Sequence, residues 1–231
     1  MIYIKKIYYE KYTKKSYSLS NVDLILERIF SKIKNGIYID IGCNHPIKYN
    51  NTYLLNKKGW KGINIDLDEE SINEFNKFRP NDTNVCAAVS SKDGENKNIY
   101  LYHSRSTINT ISKSLVDKRI IKPKKIVNKK TKSLNKIIEN TNFRNKKINL
   151  ISIDVENYEY EVLKNFNFKK YKPDVVVAEI HDINQKKLEI YTQSINYILK
   201  SKLYKLMIKN KYKLVNWVQS DFVFVRIGIK L

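Results

Sequence analysis

The chain is poor in the residues that mark several other classes of protein. Its 231 residues include only 6 glycines, 4 prolines and 2 cysteines. The two cysteines, Cys43 and Cys86, show neither metal-ligand spacing nor the pattern of a disulfide framework. We therefore expect a reduced, cytoplasmic protein in which Cys43 serves as a small packing residue.

Long apolar runs are also missing. No stretch approaches the roughly 20 apolar residues that a membrane-spanning helix needs. Lysines interrupt the apolar residues at the amino terminus, which therefore lacks the core of a signal peptide. With 42% hydrophobic residues, the chain still has enough apolar material for a folded core. We predict one domain over residues 1–231, with residues 1–20 as an amino-terminal extension.

Acidic residues are few, because the chain has 23 Asp and Glu but 44 Lys and Arg, which gives a formal net charge of +21. Such an excess suggests nucleic acid or an anionic membrane as a partner. The positive charge is mostly lysine spread along the whole chain, however, and lysine shares A/T-rich codons with the abundant asparagine and isoleucine. Arginine, which binds phosphate with two parallel hydrogen bonds, is scarce. A biased genome composition is the simpler account of this charge, and the pattern disfavours nucleic acid. The alternative of a functional charge stays open, since the denser basic patch at residues 118–132 would also attract an acidic acceptor.

The informative pattern is a β-α-β unit with polar residues where its strands end. Residues 37–41 form a buried-type strand that runs into a turn at Gly42, and residues 59–66 form a second strand that ends at Asp66. In α/β folds such a turn lets the backbone approach a nucleoside, while the distant carboxylate accepts hydrogen bonds from the ribose. The G-x-G-x-x-G run that a pyrophosphate needs is absent. The pattern favours S-adenosylmethionine over NAD, although an acid at a strand end also serves simply to cap a helix.

Two later strands bring further polar residues to the same edge. Residues 150–153 run into Asp154 and Glu156, and residues 173–180 run into His181. Because the carboxyl ends of parallel strands meet at one edge of a sheet, we expect these side chains to border the same site.

Other segments complete the predicted fold. Residues 83–89 form a buried-type strand, and residues 204–208, 212–217 and 221–227 form a terminal set of strands, two of them antiparallel. This order predicts an α/β protein, a three-layer α/β/α sandwich around a mostly parallel seven-stranded sheet with an antiparallel C-terminal strand. Residues 104–128 are irregular, and we predict a lid there.

Taken in order, these segments resemble the FkbM family of S-adenosylmethionine-dependent methyltransferases, which have the Rossmann-like class I fold. The resemblance implies transfer of a methyl group to a hydroxyl, commonly on the sugars of surface polysaccharides or on natural products. The chain departs from the family at Cys43, often Ala, and at Asn157, usually Gly, although Asn is the next most tolerant of a left-handed backbone. The matching segments, which together span residues 20–227, are 38–46, 51–53, 59–66, 87–90, 106–110 and 150–163.

The predicted cofactor contacts lie in or just after the first three strands. Asp66 is expected to hold the ribose hydroxyls. Asn51 and Thr52 begin the helix between the first two strands, and their backbone N–H groups are expected to bind the cofactor carboxylate. The predicted residues are Asp40, Gly42, Asn44, Asn51, Thr52, Asp66, Leu67, Cys86 and Ala87.

An alcohol becomes a good nucleophile only when its proton leaves, so a base is expected near the acceptor. The candidates are His181, which titrates near neutrality, together with Asp154 and Glu156. Alternatively, the two acids orient the acceptor hydroxyls, or all three residues hold Mg²⁺, a cation that prefers oxygen ligands.

Three functions follow from these patterns. The first is an O-methyltransferase that acts on a glycan or a small hydroxylated metabolite. The second, suggested by the basic charge, is an RNA methyltransferase. The third is a basic binding protein on a methyltransferase scaffold. The sequence predicts no oligomeric state.

Overall fold

The computed structural model describes residues 13–180 and 194–229. Ten strands are present within these ranges. Their bounds are β1 (Ile37–Ile41), β2 (Lys61–Asp66), β3 (Thr83–Cys86), β4 (Ala88–Ser90), β5 (Asn96–Leu101), β6 (Lys125–Ser133), β7 (Leu150–Ile153), β8 (Val175–Glu179), β9 (Tyr212–Val218) and β10 (Asp221–Arg226).

The helices of the described residues alternate with the strands of the main sheet. They are α1 (Val22–Ile29), α2 (Tyr53–Lys57), α3 (Glu69–Phe78), α4 (Lys113–Lys118), α5 (Leu134–Glu139), α6 (Glu159–Leu163), α7 (Phe168–Tyr171), α8 (Ile195–Lys200) and α9 (Lys202–Lys209). None of the helices in the described ranges has the length and apolar character needed to cross a bilayer.

Seven strands form the main sheet, in the order β3-β2-β1-β7-β8-β10-β9. Strands β3, β2, β1, β7 and β8 are parallel, whereas β10 runs antiparallel to both of its neighbours. This arrangement confirms the predicted sheet. The strand order also places the carboxyl ends of β1, β2 and β7 side by side, and a ligand site is expected at that edge.

The sheet is buried on both faces, as parallel sheets usually are. Helices α1 and α2 cover the face that carries Tyr38 and Leu150. Helices α5, α6 and α9 cover the opposite face, which carries Ile39 and Ile151. The two helical layers with the sheet between them form the three-layer sandwich expected from the sequence.

Residues 204–208, predicted as a strand, lie instead in helix α9. Leu203 and Met207 are buried and one helical turn apart, and the hydroxyl of Ser201 caps the helix by accepting from the backbone N–H of Tyr204 at 3.1 Å. The prediction was wrong because a short apolar run fits both the strand period and the helix period.

A second sheet, in the order β4-β6-β5, stands beside the main one. The strand predicted over residues 83–89 is divided between the two sheets, because β3 pairs with β2 and β4 pairs with β6. The segment 104–128, predicted to be irregular, contains helix α4 and the first residues of β6, which pair with β5. We use the name "side ribbon" for the antiparallel pair β5–β6.

Candidate active site

A cavity opens at the carboxyl ends of β1, β2 and β7. We call it the cofactor cavity. Five of the residues predicted to bind the cofactor line it, and so do two of the predicted acids. These residues are Gly42, Asn44, Asp66, Leu67, Ala87, Asp154 and Glu156.

The turn at Gly42 brings the end of β1 against the end of β7. Gly42 has a φ of 76°, and its N–H donates to the carbonyl of Ile65 at 2.8 Å. A Cβ on Gly42 would lie 1.7 Å from the carbonyl oxygen of Asp154. Only glycine fits this close approach, which narrows one end of the cavity.

Asp66 ends β2 and is only 8% exposed. Its Oδ2 accepts from the backbone N–H of Asn44, and its Oδ1 accepts from the backbone N–H of Asp68, both at 2.9 Å. Burial raises the pKa of Asp66 to about 6. Each carboxylate oxygen retains a lone pair, so the fixed carboxylate can accept hydrogen bonds from two ribose hydroxyls. This geometry fits the nucleoside of S-adenosylmethionine.

Asp40 lies beneath the turn and does not line the cavity. Its Oδ2 accepts from Asn50 Nδ2 at 2.9 Å and from Thr52 Oγ1 at 2.8 Å, and burial raises its pKa. The backbone N–H of Thr52 donates to Asn50 Oδ1 at 3.0 Å, and Asn51 Nδ2 donates to Ser152 Oγ at 3.2 Å. These three predicted residues therefore support the loop that follows β1.

A buried arginine that the sequence prediction missed holds the same loop. Arg79 is 2% exposed, and its guanidinium donates to the carbonyl of Pro46, to Thr52 Oγ1 and to Asn50 Oδ1. Its position at the end of α3 was the only signal for this role in the sequence. The last of the predicted cofactor residues, Cys86, is exposed and does not line the cavity.

Residues 104–111, the first part of the predicted lid, form a roof over the cofactor cavity. Ser106, Thr107, Asn109 and Ile111 line it from this side. One side of the roof is attached to the loop that follows β2, because Asp68 Oδ2 accepts a hydrogen bond from the backbone N–H of Arg105 at 2.8 Å.

An ion pair fixes the far side of the roof. The Arg119 guanidinium, at the end of α4, pairs with the carboxylate of Glu156 and donates to the carbonyl of Ile108 at 2.6 Å. The hydroxyl of Thr110 donates to the carbonyl of Glu156 at 3.0 Å. Glu156 therefore contributes to closure of the roof, a role that the sequence did not indicate.

Three carboxylates meet where β7 and β8 end. One oxygen each from Asp154, Glu159 and Glu179 lies within 4.8 Å of the others. The Asp154 and Glu179 carboxylates are therefore neighbours, and Ser220 Oγ donates to Glu179 Oε1 at 2.7 Å.

The proximity of the carboxylates changes their ionisation. Asp154 is open to the cavity, although protein atoms surround it closely. Desolvation raises the pKa of Asp154 well above its usual value, and the negative charges of Glu179 and Glu156 raise it further. Burial, with the charges of Glu156 and Glu159, raises the pKa of Glu179 in the same direction. Both carboxyl groups therefore bind a proton more readily than an ordinary carboxyl group does.

The predicted catalytic residues are not all brought together. Asp154 belongs to the carboxylate cluster, whereas the carboxylate of Glu156 pairs with Arg119. His181 lies outside the described residues. The sequence prediction did not select Glu179 or Glu159; the available signal for Glu179 was its position at the end of a predicted strand.

Two solved structures cover most of the chain in a comparison of structures. The chain is similar in structure to a TehB-like S-adenosylmethionine-dependent methyltransferase from Corynebacterium glutamicum, with 11% identity, a TM-score of 0.44 and coverage of 97% of this chain and 96% of that one. It is also similar to the 16S rRNA methylase ArmA, with 10% identity, a TM-score of 0.41 and coverage of 88% and 80%. No curated protein matches the sequence significantly.

A comparison with models of protein families identifies one family over most of the chain. The sequence model described as the Methyltransferase FkbM domain matches residues 40–206. This range begins in β1 and ends in α9, so it includes the Gly42 turn, Asp66, the roof and the carboxylate cluster. The chain belongs to the FkbM methyltransferase family and is an S-adenosylmethionine-dependent methyltransferase with a Rossmann-like fold.

Proposed function

We propose that the protein transfers a methyl group from S-adenosylmethionine to a hydroxyl of a sugar, a glycan or a small hydroxylated metabolite. The observation that carries the proposal is the proximity of the Asp154 and Glu179 carboxylates, whose oxygens lie within 4.8 Å of each other. Asp154 lines the cofactor cavity, and Glu179 lines an adjoining groove. The pair would therefore lie between a bound cofactor and a space where an acceptor can bind.

On the cofactor side, Asp66 would hold the ribose and Gly42 would allow the backbone to approach the ligand. Leu67 and Ala87 line the cavity beside Asp66 and would contact the adenine. Bound there, the cofactor supplies an electrophilic methyl group on a positively charged sulfur, to which the electron pair returns when the methyl leaves. Held by the groove, the acceptor oxygen would lie in line with that methyl group, and such positioning supplies much of the rate.

On the acceptor side, the carboxylate pair would remove the proton. The hydroxyl oxygen forms the new bond to carbon, and its proton passes to the ionised member of the Asp154–Glu179 pair. Because the pKa values of both acids are raised, the ionised member is a stronger base than an ordinary carboxylate. The hydrogen bond from Ser220 Oγ to Glu179 Oε1 would help to keep the glutamate carboxylate in place.

Two earlier predictions remain part of the proposal. His181 follows Ile180, which borders the groove, and it stays a candidate for a second base. Magnesium also stays a prediction, with Asp154 as the residue that the predicted ligand set shares with the carboxylate cluster. Titration of dialysed protein with magnesium chloride, followed by methyl transfer, tests this point.

The function is tested in two steps. Calorimetry with S-adenosylmethionine comes first, and the absence of binding would end the proposal. The protein is then incubated with methyl-labelled cofactor and separately with sugars, hydroxylated metabolites and RNA. We expect label in a sugar or metabolite as a stable ether. Label in RNA alone would support the RNA methyltransferase alternative instead.

A further inference from the structure

A wide groove, which we call the acceptor groove, adjoins the cofactor cavity. It has a volume of about 990 Å³ and lies between the side ribbon on one side and helices α6, α8 and α9 on the other. Ile111 lines both spaces, and Glu179 lines the groove next to the carboxylate cluster. A molecule in the groove therefore reaches the position where methyl transfer is proposed.

The wall formed by the side ribbon is rich in amides. Asn96, Asn98 and Asn128 line the groove, and their side chains are exposed. Asn98 and Asn128 face each other across the two strands, with Asn128 Nδ2 donating to Asn98 Oδ1 at 3.2 Å. An amide offers both donors and acceptors, which is what neighbouring hydroxyl groups on a ring require.

The opposite wall carries aromatic rings. Tyr158, Tyr160 and Tyr197 line the groove, and each is partly buried. A tyrosine presents an apolar ring face together with a polar hydroxyl. Rings opposite an amide wall suit a ligand with an apolar face and a hydroxylated edge, and a pyranose has this character.

Four lysines border the same space, and one of them, Lys97, pairs with Glu95. Lys113, Lys200 and Lys202 line the groove and are exposed. Across the described ranges, no ion pair joins any of these three lysines to an acid. The Lys202 ammonium instead lies 5.7 Å from the centre of the Tyr160 ring. The groove thus places positive charge beside the surfaces that suit a sugar.

Three acids also line the groove, and within the described residues none of them forms an ion pair with these three lysines. Glu161 pairs with Lys164, Glu159 Oε1 accepts from the backbone N–H of Val155 at 2.9 Å, and Glu179 lies beside Asp154 in the carboxylate cluster. Lys200 ends α8 and Lys202 begins α9. Both ammonium groups are therefore available to pair with an anionic group of a ligand.

We infer that the acceptor is an anionic carbohydrate, with hydroxyls on the asparagine wall and a phosphate or carboxylate substituent on Lys200 and Lys202. This inference rests on the proposed function and narrows its acceptor class. An ammonium binds either anion as a point charge, so phosphate and carboxylate share the chemistry. A sugar phosphate and a uronic acid are the two sources to be distinguished.

The test uses the full-length protein, methyl-labelled S-adenosylmethionine and hexoses in three matched forms: the neutral sugar, its uronic acid and its 6-phosphate. We expect kcat/KM for one anionic form to exceed that for the neutral sugar by roughly tenfold or more. The preferred anion identifies the source. Equal or better use of the neutral sugar would overturn the inference while leaving the proposed function intact.

Paired variants separate the groove lysines from the general charge of the chain. The double substitution of Lys200→Ala and Lys202→Ala should remove most of the preference for the anionic sugar, measured as the ratio of kcat/KM for the anionic and the neutral forms. The matched control is Lys209→Ala with Lys213→Ala, two exposed lysines outside the groove lining. Equal effects of the two pairs would overturn the inference. Methyl transfer to no sugar, from protein that binds S-adenosylmethionine, would overturn the proposed function and this inference with it.

Discussion

Gly42 lies so close to Asp154 that a Cβ on the glycine would come within 1.7 Å of the aspartate carbonyl oxygen. The contact joins the ends of β1 and β7, and each end contributes residues to the cofactor cavity. Neither residue can move away easily, because the Asp154 N–H donates to the carbonyl of Ile41 at 2.9 Å. The close packing of these two strand ends therefore sets the shape of the cavity.

We predict that Gly42→Ala weakens S-adenosylmethionine binding and destabilises the fold. A side chain at this positive φ costs about 1–2 kcal/mol, and the overlap with Asp154 adds to that cost. For a chain of this size 1 kcal/mol lowers the melting temperature by about 2–4 °C, so the backbone cost alone should lower it by about 2–8 °C. Calorimetry with the cofactor and thermal unfolding measure the two effects.

The matched control for this variant is Gly94→Ala. Gly94 has a similar φ of 74°, but a Cβ there meets nothing within 4 Å. The control should show a smaller loss of stability and unchanged cofactor affinity. Equal cofactor affinities for the two variants would show that the contact with Asp154 does not shape the cavity.

Cofactor affinity should increase as the pH rises through about 6, the pKa of Asp66. The ionised carboxylate accepts hydrogen bonds from both ribose hydroxyls, whereas the protonated form has lost part of its acceptor capacity. Asp66→Asn should weaken binding and remove this pH dependence. Asp117→Asn, at an exposed acid of α4, is the control and should bind like the unmodified protein across the whole range.

The carboxyl group of Asp66 has the opposite effect on the stability of the fold, which decreases as the pH rises while cofactor affinity increases. Its folded pKa of about 6 is above its ordinary value of 3.8, so the folded protein keeps a proton that the unfolded chain releases. The contribution of Asp66 to the free energy of unfolding therefore falls as the pH rises from about 4 to about 6. Denaturant unfolding of the Asp66→Asn variant should show a weaker fall over that window.

Glu179→Gln should lower kcat by about 10²–10⁴-fold, the usual contribution of a positioned base. Cofactor affinity should not change, because Glu179 does not line the cofactor cavity. The substitution also removes a negative charge that raises the pKa of Asp154, so the acidic limb of the rate profile should move to lower pH.

The control for Glu179 is Glu161→Gln, because Glu161 lines the same groove but pairs with Lys164. It should retain its turnover and its pH profile. If the two glutamate variants had the same kcat, the carboxylate pair would no longer explain proton removal.

Arg119→Ala should loosen the roof over the cofactor cavity. The substitution removes the ion pair with Glu156 and the hydrogen bond to Ile108, which together should stabilise closure by about 1–2 kcal/mol. Cofactor dissociation, measured by stopped flow, should become faster. Lys124→Ala, at an exposed lysine near the same segment, should leave the rate unchanged, and equal rates in both variants would show that the ion pair does not hold the roof.

The main elements of the fold could be predicted from the sequence because their signals are local. Buried-type strands such as 37–41 and 150–153 coincide with β1 and β7. Residues 204–208 were assigned wrongly, since their apolar residues fit two periods and only packing against the sheet selects the helix. The division of residues 83–89 between two sheets could not be predicted, because it depends on pairing with β6, far along the chain.

The sequence by itself determined the α/β class, the turn at Gly42 and the position of Asp66, because strand periodicity and a residue at a strand end are properties of neighbouring positions. Only the tertiary structure decided how the acids are used. Asp154 and Glu179 are distant in sequence and meet because β7 and β8 pair in parallel, while Glu156 reaches Arg119 across the cavity. Contacts between distant segments depend on which strands become neighbours and on how close their ends can lie, and no local pattern records either.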